Sequence, residues 1–317
     1  MVAALVILDG ASEPLSERRT SLERARTPAL DALGREGTLG RLRTVPAALP
    51  AGSESALPGL LGWTPAAPVD RGLLEAAAAG IELAAGERAW RIDVLDADGM
   101  RAGAAATGAA ATRLEAELPG HRVRPLTGHR LLVAGAAPLP RAARCGGLRA
   151  WPEGDGLPTV LDRSTVVIAA SGAAVGVARL LGAHAVTPAG ATGGIDSDLR
   201  AKVAAARRAI VEGAARVVLH VGAPDEAAHA RDAAAKVAAL ERIDREVVRP
   251  LAAALAAAGG TLRVCPDHGC DPATGMHDGA PVPVLDWPGP GPHGRLTERA
   301  AADLAVCEPE PALEAVG

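Results

Sequence analysis

Three aspartates and three histidines stand where an α/β sheet concentrates its chemistry. Asp9 closes the apolar run LVIL; Asp225 follows the run VVLHV and precedes His229 by four residues. Asp267 and His268 follow RVCP, and His277 stands in GMHDGAP. Each run reads as a strand, and open parallel sheets bind ligands beyond the carboxyl ends of their strands. The pattern therefore predicts that Asp9, Asp225, His229, Asp267, His268 and His277 converge on one edge. Mixed carboxylate and imidazole ligands suit manganese or zinc, whereas sites of oxygen alone lean to magnesium. Two such ions side by side activate a nucleophile and stabilise a transferring phosphoryl group. Singly, each piece has an ordinary explanation: Asp-Gly after a strand is a turn, and D-x-x-x-H on a helix is a solvated face. All of them on strand ends, in this order, predict a metal centre.

The segment PAGSESALPGLLGW adds a hydroxyl. Ser53 follows a glycine at the start of an expected helix over 53–61, where the helix N-terminus favours a bound phosphate or a developing alkoxide. The everyday role of such a serine is to cap the helix. Position alone leaves nucleophile and cap both open.

The elements that must position these groups alternate along the chain. Apolar runs rich in β-branched residues exchange with Ala/Leu-rich stretches, which is the α/β pattern. Strands are expected over 2–8, 164–169, 216–221 and 261–265, and helices over 19–34, 53–61, 196–212 and 226–257. In the last of these, Val237, Leu240, Ile243 and Val247 recur at helical spacing. From about 92 to 188 the chain becomes richer in Gly, Arg and Pro, and 135–158 is turn-forming. We expect a core domain over 1–91 and 189–317 with a smaller lobe, 92–188, inserted into it. Residues beyond Cys307 read as a loose tail.

Hydrophobic residues make up 49% of the 317, with four Trp and no Phe or Tyr, so the core is expected from Leu, Val, Ile and Ala. The lack of aromatics argues against a base-stacking platform, and the formal charge of -4 gives no general attraction to nucleic acid or anionic membrane. No run reaches the ~18 apolar residues of a membrane span, and MVAALVILDG reads as a strand rather than a signal peptide. The chain is expected in the cytoplasm. Its four cysteines follow no CxxC pattern and read as reduced, mostly buried thiols.

Taken together, LDG, TPALDALGREG, PAGSESALPGLLGW, DRGLLEAAAAGIEL, PAGATGGIDSDLRAK, HVGAPDEAAHARD, PDHGC and MHDGAPVPV resemble the archaeal-type 2,3-bisphosphoglycerate-independent (cofactor-independent) phosphoglycerate mutases of the alkaline phosphatase superfamily. The resemblance brackets nearly the whole chain. It implies an alkaline-phosphatase-like α/β core with a largely parallel sheet, an inserted cap, and two divalent metal ions, manganese ahead of magnesium or zinc. It implies that Ser53 takes the phosphoryl group and holds one ion with Asp9, Asp267 and His268, while Asp225, His229 and His277 hold the other. The implied activity is a phosphomutase acting within phosphoglycerate or a related phosphate or phosphonate. A phosphatase or phosphodiesterase on the same metals is the alternative, and a non-catalytic binding protein a third reading. The chain departs from the pattern in reading GSESAL, with Leu57 where the family has a histidine, in its reduced DGMRAG stretch, which leaves Asp98 and Arg101, and in a shorter cap. Arg101, Arg122, Arg130 and Lys202 are the candidate substrate-binding cations, since guanidinium forks match carboxylate and phosphate.

Overall fold

A computed structural model describes residues 1–126 and 128–309. Its strands are β1 (Ala3–Leu8), β2 (Thr38–Leu42), β3 (Arg88–Val94), β4 (His121–Pro125), β5 (Arg130–Gly135), β6 (Leu148–Ala150), β7 (Thr165–Ile168), β8 (His184–Val186), β9 (Arg216–Val221), β10 (Thr261–Pro266), β11 (Gly269–Asp271), β12 (Met276–Asp278), β13 (Val282–Trp287) and β14 (Val306–Cys307). An eight-stranded sheet runs β14-β2-β13-β10-β1-β9-β7-β8. From β10 to β8 every pairing is parallel, and β13 alone reverses direction. This is the α/β class expected, with a mostly parallel sheet. Strand β1 lies in the middle and is buried on both faces, which is why it reads as an unbroken apolar run. On one face Val6, Leu8, Val217, Leu219 and Val264 meet Val203, Leu240, Ile243, Val247 and Leu251 from the covering helices.

The chain forms two compact units: Met1–Pro68 with the chain from Pro158 on, and Val69–Leu157. These boundaries differ from the expected insert at 92–188. The helix Arg71–Ala78 packs on β3, and a Cβ on Gly72 would stand 1.9 Å from the Ala89 carbonyl oxygen, so this glycine lets the two elements meet. At the other end β7 and β8 extend the large sheet beside β9. Composition changes where the chain becomes turn-rich; the sheet changes where strands find partners.

Two expected helices are broken. The stretch 19–34 splits into Ser21–Arg24 and Pro28–Glu36, because Pro28 starts a helix more readily than it continues one. The stretch 226–257 splits into Ala223–His229, Ala233–Ile243, a π turn over Asp244–Val248, and Arg249–Ala257. Arg231 at φ 58 makes the first break, and the Asp232 carboxylate caps the next helix through Ala235 N at 2.8 Å.

The smaller unit is an antiparallel sheet, β4-β5-β3-β6, whose core joins Trp90, Ile92, Leu131 and Val133 to Leu114 of the helix Ala104–Glu117. Arg91 is buried between Glu75 at 3.1 Å and Asp93 at 3.0 Å, and Trp151 Nε1 donates to Asp93 at 3.0 Å. Burial draws the Arg91 guanidinium down to about 10. No described helix is long and apolar enough to cross a membrane.

The helix Pro28–Glu36 receives no side-chain cap from Thr27. Buried Asp244, more than two hundred residues away, replaces it by accepting Leu30 N at 2.8 Å and Ala29 N at 3.1 Å. Asp244→Ala is expected to lower stability by about 1–2 kcal/mol in urea unfolding while leaving metal content unchanged.

Candidate metal centre

Strand register builds the site. Leu8 pairs with Val221 of β9 on one side and with Pro266 of β10 on the other, so three strands end level. Asp9 and Asp267 are the first residues beyond two of those ends. Gly10 then turns the chain at φ 59 and donates its N–H to Asp267 Oδ1 at 3.0 Å. A Cβ on Gly10 would lie 2.3 Å from Asp225 Oδ1, so a side chain here would occupy the space of the third carboxylate. Beyond β9, Asp225 and His229 share one face of a short helix and meet at 3.2 Å. His277, on β12, reaches the same carboxylate at 3.4 Å.

Ser53 opens the helix Ser53–Leu60. Its hydroxyl donates to Asp9 Oδ1 at 3.2 Å and lies 3.4 Å from His268 Nε2. His268 Nε2 also lies 3.4 Å from Asp9 Oδ1 and 3.7 Å from Asp267 Oδ2. The geometry thus brings Asp9, Ser53, Asp267 and His268 together, with Asp225, His229 and His277 beside them.

The histidines are oriented by main-chain carbonyls. Nδ1 of His229 bonds Gly275 O, that of His277 bonds Ala51 O and that of His268 bonds Gly269 O, each at 3.0 Å. A carbonyl only accepts, so Nδ1 carries the proton and, in the neutral ring, Nε2 presents its lone pair inward. In His229 and His277 the two Nε2 atoms face each other at 2.9 Å. Two lone pairs at that distance repel unless a cation lies with them.

Charge makes the same demand. The ligand atoms of Asp9, Asp225 and His268 all lie within 4.8 Å of one another, as do those of Asp9, His220 and Asp267. At that separation two carboxylates repel by about 3.5 kcal/mol at an effective dielectric of about 20. Burial, then Asp267 and Asp225, hold the Asp9 carboxyl well above the usual carboxylate range. For His268, burial works against the imidazolium, but Asp267, Asp9 and Asp225 outweigh it and push the ring up to about 10. Asp225 Oδ1, Asp267 Oδ2 and His220 Nε2 are buried without a hydrogen-bond partner. Oxygen and nitrogen donors with unmet polar atoms and surplus negative charge fit divalent cations.

Two contributors were not singled out in the sequence. His220 lies inside the apolar run of β9, with Nε2 3.5 Å from Asp9 Oδ2; burial pushes its ring down to about 4. The only signal was a histidine interrupting apolar residues. In the sequence Cys270 is an ordinary thiol of an expected buried set; in the structure it groups with Asp225, His229 and His277. Cys265 is also buried, but Cys145 and Cys307 are exposed, contrary to expectation.

The candidate substrate cations are placed differently. Lys202 is completely buried and donates to the His220 carbonyl at 2.8 Å, so it braces β9 instead of presenting an ammonium to solvent. Burial draws it down to about 8. Arg101, Arg122 and Arg130 lie in the smaller unit. There Arg122 pairs with Glu87 at 2.6 Å and Arg130 with Glu75 at 3.3 Å, while Arg101 is exposed.

Residues 1–310 match the family profile of the metalloenzyme superfamily. The 2,3-bisphosphoglycerate-independent phosphoglycerate mutase 2 of Methanothermobacter thermautotrophicus is 30% identical, over 90% of this chain and 88% of its own. The chain belongs to the metalloenzyme superfamily, in the family of these mutases. A probable 2,3-bisphosphoglycerate-independent phosphoglycerate mutase of Geobacter sulfurreducens is 28% identical over 89% of each chain. Among solved structures, a protein of Pyrococcus horikoshii superposes with a TM-score of 0.82 at 22% identity, covering 98% of this chain and 95% of its own. The cofactor-independent phosphoglycerate mutase of Thermoplasma acidophilum gives 0.61 at 16% identity, covering 99% and 98%. These two likenesses establish the fold of this family member.

Gly10→Ala is expected to lower divalent-metal affinity roughly 10–100-fold, the range seen when groups supporting a ligand are displaced, measured by competition with a fluorescent chelator. Gly86, at φ 83 with open space around its Cα, is the control. Gly86→Ala should lose about 1 kcal/mol of stability to backbone strain and leave metal affinity unchanged.

Proposed function

We propose that the chain is a metal-dependent phosphomutase that moves a phosphoryl group within a small phosphorylated hydroxy acid by way of Ser53. The observation that carries this reading is the Ser53 hydroxyl in contact with both Asp9 and His268, inside the cluster that calls for cations. The names of the relatives supply the substrate class, phosphoglycerate.

We assign Asp9, Ser53, Asp267 and His268 to one divalent ion and Asp225, His229 and His277 to the other. Such a pair supplies Lewis-acid charge and makes a serine hydroxyl nucleophilic at neutral pH. Asp9 Oδ1 accepts the Ser53 hydrogen bond and sets the direction of Oγ. Ser53 Oγ attacks phosphorus, the bond from phosphorus to the substrate oxygen breaks, and that oxygen takes up a proton. The neighbouring hydroxyl of the same substrate then attacks the phosphoserine, loses its proton, and frees Oγ. The N-terminus of the helix Ser53–Leu60 offers a favourable dipole to the phosphoryl oxygens. Leu57, where the resembling family has a histidine, is buried within this helix, so the helix offers no imidazole base there. Acidification of Oγ would then be supplied by an ion held by Asp9, Ser53, Asp267 and His268.

The test is a metal-reconstituted assay on 3-phosphoglycerate that follows both 2-phosphoglycerate and free phosphate. Product should form with little phosphate release, chelation should abolish it, and acid quenching should trap phosphate on the peptide holding Ser53. Ser53→Ala is expected to lower turnover by about 10³-fold or more and to retain much of the metal. Near-normal turnover by Ser53→Ala would overturn the phosphoserine route. Stoichiometric phosphate release would make the protein a hydrolase on the same centre.

A further inference from the structure

We infer that Cys270 is a fourth ligand of the Asp225–His229–His277 site and makes it the softer of the two sites, selective for zinc. This rests on the two-metal reading above and adds to it a thiolate and a metal preference. Cys270 Sγ, a carboxylate oxygen of Asp225 and ring nitrogens of His229 and His277 all lie within 4.8 Å of one another. The placement follows from the hairpin: β11 pairs with β12 antiparallel and sets Cys270 directly opposite His277, and opposed residues share a face. Cys270 is fully buried, so its sulfur faces the protein interior.

The group is a ligand set and not a stray thiol. Asp225 Oδ1 is buried, makes no hydrogen bond of good geometry, and lies 3.4 Å from His277 Nε2. Both imidazoles have Nδ1 tied to carbonyls and turn their Nε2 atoms toward each other at 2.9 Å. In a tetrahedral zinc site, nitrogen at about 2.0–2.1 Å and sulfur at about 2.3 Å place ligand atoms roughly 3.3–3.8 Å apart. The four atoms here bracket that spacing, from 2.9 Å to the 4.8 Å limit.

Charge and softness agree. When the ion binds, the metal–sulfur bond forms as the thiol proton leaves to solvent. One carboxylate and one thiolate then balance the divalent charge, and the two imidazoles stay neutral. Buried Lys236 bonds the Cys270 carbonyl at 2.6 Å and places a positive charge beside the thiolate, with Glu13 as its counter-ion at 3.1 Å. The other site, Asp9, Ser53, Asp267 and His268, offers only oxygen and nitrogen. A thiolate selects zinc over manganese and magnesium, which prefer oxygen, so the two positions should fill with different metals.

Cobalt(II) reads this directly. Metal-free full-length protein titrated with cobalt is expected to take up two equivalents and to develop a thiolate-to-cobalt charge-transfer band in the near ultraviolet. Cys270→Ser should lose the band, still bind two ions, and lower the preference for zinc over manganese by about tenfold or more; Cys265→Ser should keep the band. Two bound cobalt ions without the band in the wild type, or a band that survives in Cys270→Ser, would overturn the thiolate assignment and leave the two-metal reading intact. A wild type that binds no cobalt would overturn both. The wild-type spectrum decides the matter even if Cys270→Ser does not fold, and Cys270→Ala then serves to assign the sulfur.

Discussion

Mutual repulsion of buried carboxylates governs this fold. The level ends of β1, β9 and β10 bring Asp9, Asp225 and Asp267 to one place with little water to screen them. About 3.5 kcal/mol per neighbouring pair is a large share of the 5–15 kcal/mol by which a domain is typically stable. The chain offsets part of it with the Gly10 and His268 amides on Asp267 and with the elevated basicity of His268. What remains is a standing demand for positive charge, which bound divalent ions would meet. Acid conditions oppose metal uptake, because protons compete for the same atoms.

Much of the surrounding structure serves to hold that arrangement in place. The carbonyls that orient the histidines come from three separate segments, at Ala51, Gly269 and Gly275. The Ala51 carbonyl stands two residues before Ser53, so one loop positions both the Ser53 hydroxyl and the His277 ring. Lys202 and Lys236, both completely buried, satisfy carbonyls of β9 and β11 beneath the site. A buried ammonium is tolerated when carbonyls and nearby carboxylates surround it.

The sequence was most legible where chemistry-bearing residues follow unbroken apolar runs. The strand at 216–221 and the positions of Asp9, Asp225, Asp267 and His268 after their strands could be read because parallel central strands need both faces apolar. The helix break at Arg231 could not: Ala-rich sequence on either side favours helix, and no glycine or proline marks a stop. His220 was hidden because a histidine in an apolar run looks the same whether it fills the core or lines a site. Lys202 stands in the sequence as a candidate substrate-binding cation, and nothing there marks the β9 carbonyl that the fold places within its reach. The lobe boundary was misplaced because composition records turns, whereas strand pairing decides membership of a sheet.

The placement of β1 bears on how the chain is made. Its neighbours β9 and β10 lie more than two hundred residues downstream of it. At about 5–20 residues per second, a ribosome leaves this apolar strand without partners for roughly 10–40 s. Meanwhile the contiguous segment Val69–Leu157 emerges complete, and its entry and exit are already tied by Asp70 N on Asp155 O at 2.9 Å. The sheet β4-β5-β3-β6 of that segment finds all its strand partners within it, while β1 waits for β9 and β10. Until they emerge, β1, apolar along its whole length, has no strand of the large sheet to pair with.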